Sequence, residues 1–479
     1  MTLKEHIKKV QEKKIDIVVE TKRLLKLCST FQESHAPFSK ITTDLALSCA
    51  DFVANHPHKE TLPLAGVFVT VKDAIVIKDE ESTASSDILK GYIPVFNATV
   101  IKKIKDAGGI ILGKTTQDEF GFGSFCTNVG KNYVIPKNPF NVNHVAGGSS
   151  GGSAVITALF KKEQIPHISI AESTGGSIEC PASFCGVIGF CPTYGKVSRN
   201  GLISYANSFD KIGLMSSDID DILLGLNCIS GKDSGDSTSV DSKQVSLEKY
   251  VTKKITIGVL KEAVSSIKNT DIKKQFEQAV SLLKKKGHTI KDVSLETTFL
   301  YGIPTYYILA MSEASTNLSA LCGLRYGVQD VRSDEHFTDY FKRIRSTYFG
   351  DEAKRRIMLG TFTRMAGYRD AYYIKAAKIR TKIIEEYKAV LSECDVIISP
   401  SMPFTAPSFS NVTSLKPIEH YLADSMTVGP NLAGMPHASF PIGFDTSSMP
   451  IGLLATSNHF CEDVLLYFGK ELLSEVGDI

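Results

Sequence analysis

The sequence lacks several features that would mark particular classes of protein. It contains no Cys-x-x-Cys pair, so a structural zinc site is not expected. Its formal net charge is only +2, which argues against a nucleic-acid surface spread over the whole protein. That balance is still compatible with RNA contact through a partner subunit. No apolar run approaches the roughly 20 residues of a membrane span.

Targeting features and paired cysteines are also missing. Residues 1–14 carry charges of both signs, have no apolar signal core and are not rich in arginine. The ten cysteines are scattered singly, which is typical of a reducing compartment. Cys180, Cys185 and Cys191 lie close together in apolar surroundings, and we interpret them as small core residues. These observations predict a soluble, cytoplasmic protein.

Helical and strand patterns alternate along the chain and predict an α/β fold. Helices followed by strands favour a mostly parallel sheet covered by helices. The clearest pairs are a helix at 97–107 before a strand at 110–112, and a helix at 270–286 before a strand at 288–293. Helices are predicted to dominate from Pro304 to Leu391.

The same patterns suggest the domain organisation. Residues 1–60 are predicted as an N-terminal helical segment, and residues 61–476 as one large domain. The polar, turn-rich stretch 231–248 has the composition of a linker. We therefore divide the large domain into a core at about 62–240 and a second lobe at about 250–476.

Two glycine- and serine-rich turns dominate the middle of the chain. They are GGSSGG at 147–152 and STGGS at 173–177, and each leads directly into an apolar run, unlike a flexible linker. Neither is followed by Gly-Lys-Ser/Thr, so a nucleotide-binding P-loop is not indicated. Glycine lets amide groups approach a bound group closely. The turns could therefore place serine hydroxyls beside N–H donors, as a serine hydrolase requires.

A third element, upstream of both turns, supplies a candidate base. In GVFVTVKD at 66–73 the valines alternate as in a half-buried strand, which places Phe68, Thr70 and Lys72 on the opposite face. Apolar residues 74–77 follow directly, so Lys72 could be buried. A desolvated lysine has a lowered pKa and can act as a base.

These three motifs together resemble the amidase signature family. Lys72, GGSSGGS and the segment TGGSI-x-x-PASFCGVIGF-x-PTYG-x-VS at 174–198 occur in the order typical of that family. The similarity runs from about residue 62 to 240 and continues in patches to the C-terminus. The resemblance implies a large central mixed β-sheet covered by helices on both faces. Within the family, the chain is most similar to the subunits that supply ammonia to tRNA-dependent amidotransferases.

The resemblance also implies catalytic roles. Ser177 would be the acyl-forming nucleophile, Ser149, in a cis peptide, the bridging serine, and Lys72 the terminal base. This is a serine–lysine variant of the catalytic triad. The oxyanion hole would consist of the backbone amides of Thr174, Gly175, Gly176 and Ser177.

Three downstream residues would hold free glutamine. Arg356 would pair with its carboxylate and Asp424 with its ammonium group, while Tyr306 would lend a hydroxyl. Charge pairing at both ends selects a free amino acid over a peptide or a fatty amide. Arg355 is an open alternative to Arg356.

The resemblance thus implies a glutaminase subunit that works with partners of the B and C types. The B-type partner would hold misacylated tRNA and use ATP and Mg²⁺, and no cofactor or metal is expected in this chain. The acceptor, Glu-tRNA(Gln) or Asp-tRNA(Asn), is left open. The alternatives are a stand-alone amidase for small or lipid amides, and a non-enzymatic scaffold.

Two positions depart from the family pattern. Ser173 stands where the family commonly has aspartate, and Glu179 stands where it commonly has arginine. If those two family residues pair with each other, the loss of both together could be nearly neutral. This hypothesis predicts that Glu179→Arg alone is more harmful than Glu179→Arg combined with Ser173→Asp.

Other residue types compete for the catalytic roles. His144 and His167 flank the first turn and could replace lysine as the base, although histidines at such positions are more often structural. Asp118 and Glu119 could be mistaken for an acid–base pair. Adjacent side chains on one element point apart, so a structural role is favoured for this pair.

Overall fold

The computed structural model describes residues 2–250, 253–332 and 334–477. In these residues eleven strands form one sheet. They are β1 (Phe38–Ile41), β2 (Phe68–Lys72), β3 (Ile110–Thr115), β4 (His167–Ser173), β5 (Ile188–Cys191), β6 (Lys211–Ser216), β7 (Thr256–Leu260), β8 (Thr289–Val293), β9 (Val396–Pro400), β10 (His437–Phe444) and β11 (Pro450–Ser457).

The sheet has the order β1-β3-β2-β4-β6-β5-β10-β11-β9-β7-β8. β3, β2 and β4 are mutually parallel, as are β9, β7 and β8, whereas the other neighbouring pairs are antiparallel. The predicted α/β class with a large mixed sheet is confirmed. The mostly parallel arrangement expected from the alternation of helices and strands is wrong, since six of the ten neighbouring pairs are antiparallel. The N-terminal half contributes β1–β6 and the C-terminal half β7–β11, and the two halves meet where β5 pairs with β10.

Helices occupy most of the remaining described chain. Before β9 lie α1 (Leu3–Gln11), α2 (Ile17–His35), α3 (Thr43–Asn55), α4 (Thr99–Asp106), α5 (Gly151–Lys162), α6 (Glu179–Cys185), α7 (Ile219–Ile229), α8 (Lys261–Ser266), α9 (Thr270–Lys285), α10 (Glu296–Asn317), α11 (Phe337–Tyr348), α12 (Asp351–Arg364) and α13 (Lys375–Val390). After β9 follow α14 (Phe409–Thr413), α15 (Pro417–Leu422), α16 (Val428–Ala433) and α17 (Glu462–Val476). None of the described helices has both the length and the apolar composition to cross a bilayer.

The structure corrects three sequence-based expectations. β2 is not half-buried: every residue from Phe68 to Lys72 is buried, because the strand lies between β3 and β4 and is covered on both faces. The N-terminal segment is not purely helical, since β1 pairs with β3 at the edge of the sheet. The helical region begins at Glu296 rather than at Pro304, because α10 accommodates this proline inside the helix.

The parallel strands determine where chemistry can occur. β2 and β4 are neighbours, with Val71 aligned to Ile170, so their carboxyl ends reach the same edge of the sheet. Ligand sites in open α/β sheets form at such edges. Lys72 ends β2 and Ser173 ends β4, and the second glycine-rich turn follows directly. The fold therefore brings the sequence-predicted motifs to one place.

Candidate active site

Lys72 is the centre of the site, and its side chain is fully buried. Its Nζ atom has three acceptors: Ser149 Oγ at 2.7 Å, the Glu172 carbonyl oxygen at 2.9 Å and Glu172 Oε2 at 2.8 Å. The first distance lies within the range required for direct proton transfer. Lys72 and Ser149, which belong to two sequence motifs and are 77 residues apart, are therefore in contact.

The two glycine-rich turns meet beside this lysine. The Gly148–Ser149 peptide bond is cis. The Ser150 amide donates to the Ser177 carbonyl oxygen at 3.1 Å, which ties the first turn to the second. Glycine is required at 148, because a Cβ atom there would lie 2.6 Å from the backbone nitrogen of Cys126.

Ser177 is the last residue of the second turn and is 5% exposed. Within the described residues its hydroxyl makes no hydrogen bond, and the backbone amides of residues 174–177 donate none. Free N–H groups beside a free hydroxyl are what an oxyanion hole needs. The structure thus forms the Lys72–Ser149 link of the predicted relay, whereas the link from Ser149 to Ser177 stays a prediction.

Close packing from the C-terminal half shapes the second turn. A Cβ atom at Gly175 would lie 2.8 Å from the Tyr306 hydroxyl oxygen, and one at Gly176 would lie 2.2 Å from Thr427 Oγ1. Asn431 also donates from Nδ2 to the Gly175 carbonyl oxygen. Tyr306, a predicted glutamine contact, therefore lies directly against the second glycine-rich turn, whose amides are the predicted oxyanion hole.

Glu172 is a site residue that the sequence motifs do not indicate. It lies on β4, where every residue is buried, and a charge in such a strand needs a buried partner. Its partner is Lys72, and its second oxygen, Oε1, accepts from the Thr174 hydroxyl at 2.7 Å. The available signal was a glutamate directly after the apolar residues Ile170 and Ala171 and immediately before the second glycine-rich turn.

Asp210 lies on the other side of Thr174, whose hydroxyl is 2.8 Å from Asp210 Oδ1. The amides of Tyr205 and Ala206 donate to this carboxyl group. Burial, followed by the negative charge of Glu172, raises the pKa of Asp210 well above its usual value. Two carboxyl groups and one lysine thus share a single buried network.

Arg356 on α12 is 3% exposed. Its Nε donates to Glu352 Oε1 at 2.8 Å and its Nη1 donates to the Tyr205 hydroxyl at 2.5 Å. The side chain of the neighbouring Arg355 is 39% exposed and pairs with the other Glu352 oxygen. Both arginines border a cavity of 310 Å³, which Asp118 and Ser124 also line. Because Arg356 is buried and Arg355 is partly exposed, we favour Arg356 as the residue that pairs with a ligand carboxylate.

Asp424 is linked to Arg356 through Tyr307. The Tyr307 hydroxyl donates to Asp424 Oδ2 at 2.7 Å, and the centre of its ring lies 5.3 Å from the Arg356 guanidinium carbon. Burial raises the pKa of Asp424, and hydrogen bonds from Tyr307 and Ser124 oppose that rise. The two predicted charge partners therefore belong to one cluster, and Tyr307, which no sequence motif indicates, is a further member of it.

A second buried polar cluster lies next to the second glycine-rich turn. The Ser173 hydroxyl donates to Glu179 Oε2 at 3.1 Å, and Glu179 Oε1 is 3.0 Å from His437 Nε2. Glu179, Cys191 and His437 are close enough together to hold a metal ion. However, Lys211 Nζ lies 3.4 Å from His437 Nδ1, and its positive charge opposes a second cation at this point.

The competing histidines are engaged elsewhere. His167 Nε2 is hydrogen-bonded to Thr70 Oγ1 at 2.9 Å, and burial lowers the pKa of His167 to about 3. His144 Nδ1 lies 2.7 Å from the Ala406 carbonyl oxygen. Both of these contacts lie outside the serine–lysine relay, and they stabilise local structure instead.

The acidic pair and the cysteines also have structural surroundings. Asp118 accepts from the Cys126 and Asn128 amides, and Glu119 accepts from the Gly350 amide. Burial raises the pKa of both carboxyl groups to about 7. The three cysteines near the second turn are fully buried, as expected of core residues: Cys180, Cys185 and Cys191.

A buried lysine hydrogen-bonded to a serine, beside a turn with a second serine and free amides, is the arrangement of a serine hydrolase that uses a lysine base. The family comparison agrees with this class: residues 20–466 match the family described as Amidase. The chain belongs to the amidase family.

Curated relatives resemble the chain over nearly its whole length. The A-type subunit of glutamyl-tRNA(Gln) amidotransferase from Halothermothrix orenii is 44% identical over 84% of this chain and 83% of that protein. The subunit of the same name from Microcystis aeruginosa is 40% identical over 96% of this chain and 94% of its own length. That from Archaeoglobus fulgidus is 43% identical over 87% of both chains.

Solved structures show the same fold. The crystal structure of the A-type glutamyl-tRNA(Gln) amidotransferase subunit from Thermotoga maritima superposes with a TM-score of 0.78 at 31% identity, covering 98% of this chain and 94% of that one. A 6-aminohexanoate cyclic dimer hydrolase superposes with a TM-score of 0.82 at 19% identity, covering 99% of this chain and 97% of that one, a likeness of fold alone.

Proposed function

We propose that this protein is the glutaminase subunit of a tRNA-dependent amidotransferase, releasing ammonia from glutamine through an acyl-Ser177 intermediate. The observation that carries the proposal is that one chain contains both the Lys72–Ser149 contact and the Arg356–Tyr307–Asp424 cluster. The first provides amide hydrolysis, and the second fits the two charges of a free amino acid. The names and nearly complete coverage of the relatives support the same activity.

The residues suggest a proton relay for acylation. Lys72, when uncharged, accepts the Ser149 proton, and Ser149 accepts the proton of Ser177 as the latter attacks the side-chain carbonyl carbon of glutamine. The oxyanion then accepts hydrogen bonds from the free amides of residues 174–177. Collapse of the tetrahedral intermediate breaks the carbon–nitrogen bond, and the relay returns a proton to the departing ammonia. Water then attacks the acyl group and releases glutamate.

Recognition of glutamine would use the buried charges. Arg356 pairs with the α-carboxylate of glutamine, and Asp424 pairs with its α-ammonium group. Tyr306 supplies a hydroxyl close to the second glycine-rich turn. A lipid or simple amide carries neither charge and would lose both charge pairings, each of which contributes about 1.5–3 kcal/mol. This preference separates a glutaminase from a general amidase.

The remaining steps belong to partners. The ammonia would be delivered to a B-type subunit, which binds misacylated tRNA and uses ATP and Mg²⁺ to activate its glutamate, while a C-type subunit completes a cytoplasmic heterotrimer. Glu-tRNA(Gln) is the proposed acceptor, and Asp-tRNA(Asn) is a second candidate. No residue of this chain is assigned to ATP or Mg²⁺.

Glutamine hydrolysis by the full chain, alone and with co-purified B- and C-type subunits, tests the proposal. Wild type should release ammonia and glutamate, and Ser177→Ala should reduce the rate by at least about 1,000-fold with unchanged thermal unfolding. Transfer to Glu-tRNA(Gln) should require the partners. Undiminished hydrolysis in Ser177→Ala, or faster turnover of a fatty amide than of glutamine, would contradict the proposal.

A further inference from the structure

Lys72 and Glu172 form a buried ion pair, and this pair raises a question about the base. The exposed fractions of their side chains are 0% and 4%, and Nζ lies 2.8 Å from Oε2. A lysine can accept a proton only as the neutral amine. A carboxylate at this distance favours the ammonium form, because opposite charges stabilise each other strongly away from water. Glu172 therefore acts directly on the protonation of the proposed base.

The proton count around Thr174 indicates which carboxyl group carries the negative charge. The Thr174 hydroxyl has a single proton, yet it lies 2.7 Å from Glu172 Oε1 and 2.8 Å from Asp210 Oδ1. Both contacts can be hydrogen bonds only if one of the two carboxyl groups is itself protonated. Burial and the neighbouring Glu172 charge favour the protonated form of Asp210. Glu172 is then the carboxylate that faces Lys72.

Other titratable groups surround the pair without replacing Glu172. Asp118 and Cys126 come from the loop after β3 and act on Lys72 through space. Cys191 on β5 feels the charge of Glu172. Burial raises the pKa of each of these three groups, so in the neutral range the two thiols stay uncharged and Asp118 is only partly ionised. Among the described residues, the carboxylate in direct contact with Nζ is that of Glu172.

We propose that Glu172 is the counter-ion of Lys72 and sets the pH above which Lys72 can accept the Ser149 proton. Glu172 is a positioning residue in this role, because it acts through Lys72 and not on the substrate. On activation one proton leaves Nζ for the solvent, and the free electron pair of Nζ then accepts the proton of Ser149 Oγ. This inference rests on the proposed function, since it assumes that Lys72 is the base.

The test measures the pH dependence of Ser177 labelling by a fluorophosphonate probe in the full chain, comparing wild type with Glu172→Gln. Glutamine removes the negative charge and keeps a hydrogen-bonding side chain of the same length. Loss of the counter-ion should make Lys72 neutral at lower pH, so the acid limb of the labelling rate should move down by about 1–3 pH units. A purely structural role would lower the rate at every pH and leave the limb in place.

Glu462→Gln is the matched control. Glu462 forms another buried ion pair, with Lys196 at 3.3 Å, and the two side chains are 1% and 3% exposed. Its loss should lower stability and leave the acid limb where it is in wild type. If Glu172→Gln does not fold, Glu172→Asp decides instead, because the shorter carboxylate retreats from Nζ and should move the limb in the same direction by less.

An acid limb that stays in place or moves to higher pH in Glu172→Gln, or in Glu172→Asp if it is needed, overturns the inference and leaves the proposed glutaminase intact. The proposed function fails in a different way, when Ser177→Ala is labelled as fast as wild type or when glutamine is not hydrolysed. The two failures are therefore distinguishable within one set of proteins.

Discussion

Ser173, the first residue of the second glycine-rich turn, and Glu179, two residues after the end of that turn, are hydrogen-bonded to each other. The Ser173 hydroxyl donates to Glu179 Oε2 at 3.1 Å. These are the two positions at which the sequence departs from the pattern of its family. Glu179 also faces His437, and Lys211 lies next to that histidine. The departures are therefore in contact, and the second belongs to a cluster that contains basic groups.

The first prediction concerns this pair. Glu179→Arg alone places a buried cation beside His437 and Lys211, which should cost about 3–5 kcal/mol of unfolding free energy, as buried unpaired charges do. Adding Ser173→Asp supplies a carboxylate partner and should recover part of that loss. Chemical denaturation of the two variants checks this. Equal destabilisation by the single and the double change would show that the positions are not coupled.

The second prediction separates the two neighbouring arginines. Arg356→Met removes the buried guanidinium and should lower kcat/KM for glutamine by about 100-fold, since a hydrogen bond to a charged group contributes up to about 3 kcal/mol. Arg355→Met is the control and should cost less than about 5-fold, because its side chain is 39% exposed and such ion pairs contribute little. A larger loss from Arg355→Met would reverse the assignment. Thermal unfolding of both variants, compared with wild type, shows whether a loss of activity is due to misfolding.

The third prediction follows from the hydrogen bond between Tyr307 and Asp424. Tyr307→Phe removes a donor that lowers the pKa of Asp424, so this pKa should rise further. Asp424 must be ionised to pair with an ammonium group, and protonation would therefore weaken glutamine binding at a higher pH than in wild type. We expect the acid limb of 1/KM to move up by about one pH unit.

The control for that prediction is Tyr387→Phe, which removes the hydroxyl of a buried tyrosine on α13, outside the Asp424 cluster. Its acid limb should coincide with that of wild type. An unshifted limb in Tyr307→Phe would show that Asp424 does not titrate with glutamine binding.

The fourth prediction links Asp221 to the pH dependence of stability. Burial, together with the charges of Asp218 and Asp220, raises the pKa of Asp221 to about 7 from an ordinary value of 3.8. The folded state therefore binds this proton more tightly than the unfolded state, so the contribution to stability is complete below pH 4 and is lost as pH rises through 7. Asp221→Asn resembles the protonated form. It should match wild type at pH 4 and exceed it at pH 8 by up to about 4 kcal/mol.

Urea denaturation at the two pH values measures this effect. Asp51→Asn is the control, since Asp51 is exposed on α3, and the charges that raise the pKa of Asp221 are those of Asp218 and Asp220. It should show no gain at pH 8. Parallel curves for wild type and Asp221→Asn between pH 4 and 8 would contradict the assigned protonation.

Sequence motifs were sufficient where chemistry demands particular residues at particular spacings. The apolar strand and the two glycine-rich turns indicate Lys72 and the turn serines, and the family resemblance assigns Ser149 and Ser177 among them. The structure places Lys72 Nζ 2.7 Å from Ser149 Oγ. The α/β class followed from alternating helix and strand patterns, because each element must bury one face against another. Element ends are less predictable: proline is typical of a helix start, yet Pro304 lies inside α10.

By itself, the sequence determined which side chains could perform acyl transfer and in which order they occur along the chain, because local backbone requirements and residue chemistry are written in short motifs. Only the tertiary structure decided which charges meet. Glu172 reaches Lys72, Asp210 shares a hydroxyl with Glu172, and Tyr307 links Asp424 to Arg356. Such partners lie up to 117 residues apart in the chain, and their pairing depends on how the sheet order and the helix packing bring the elements together.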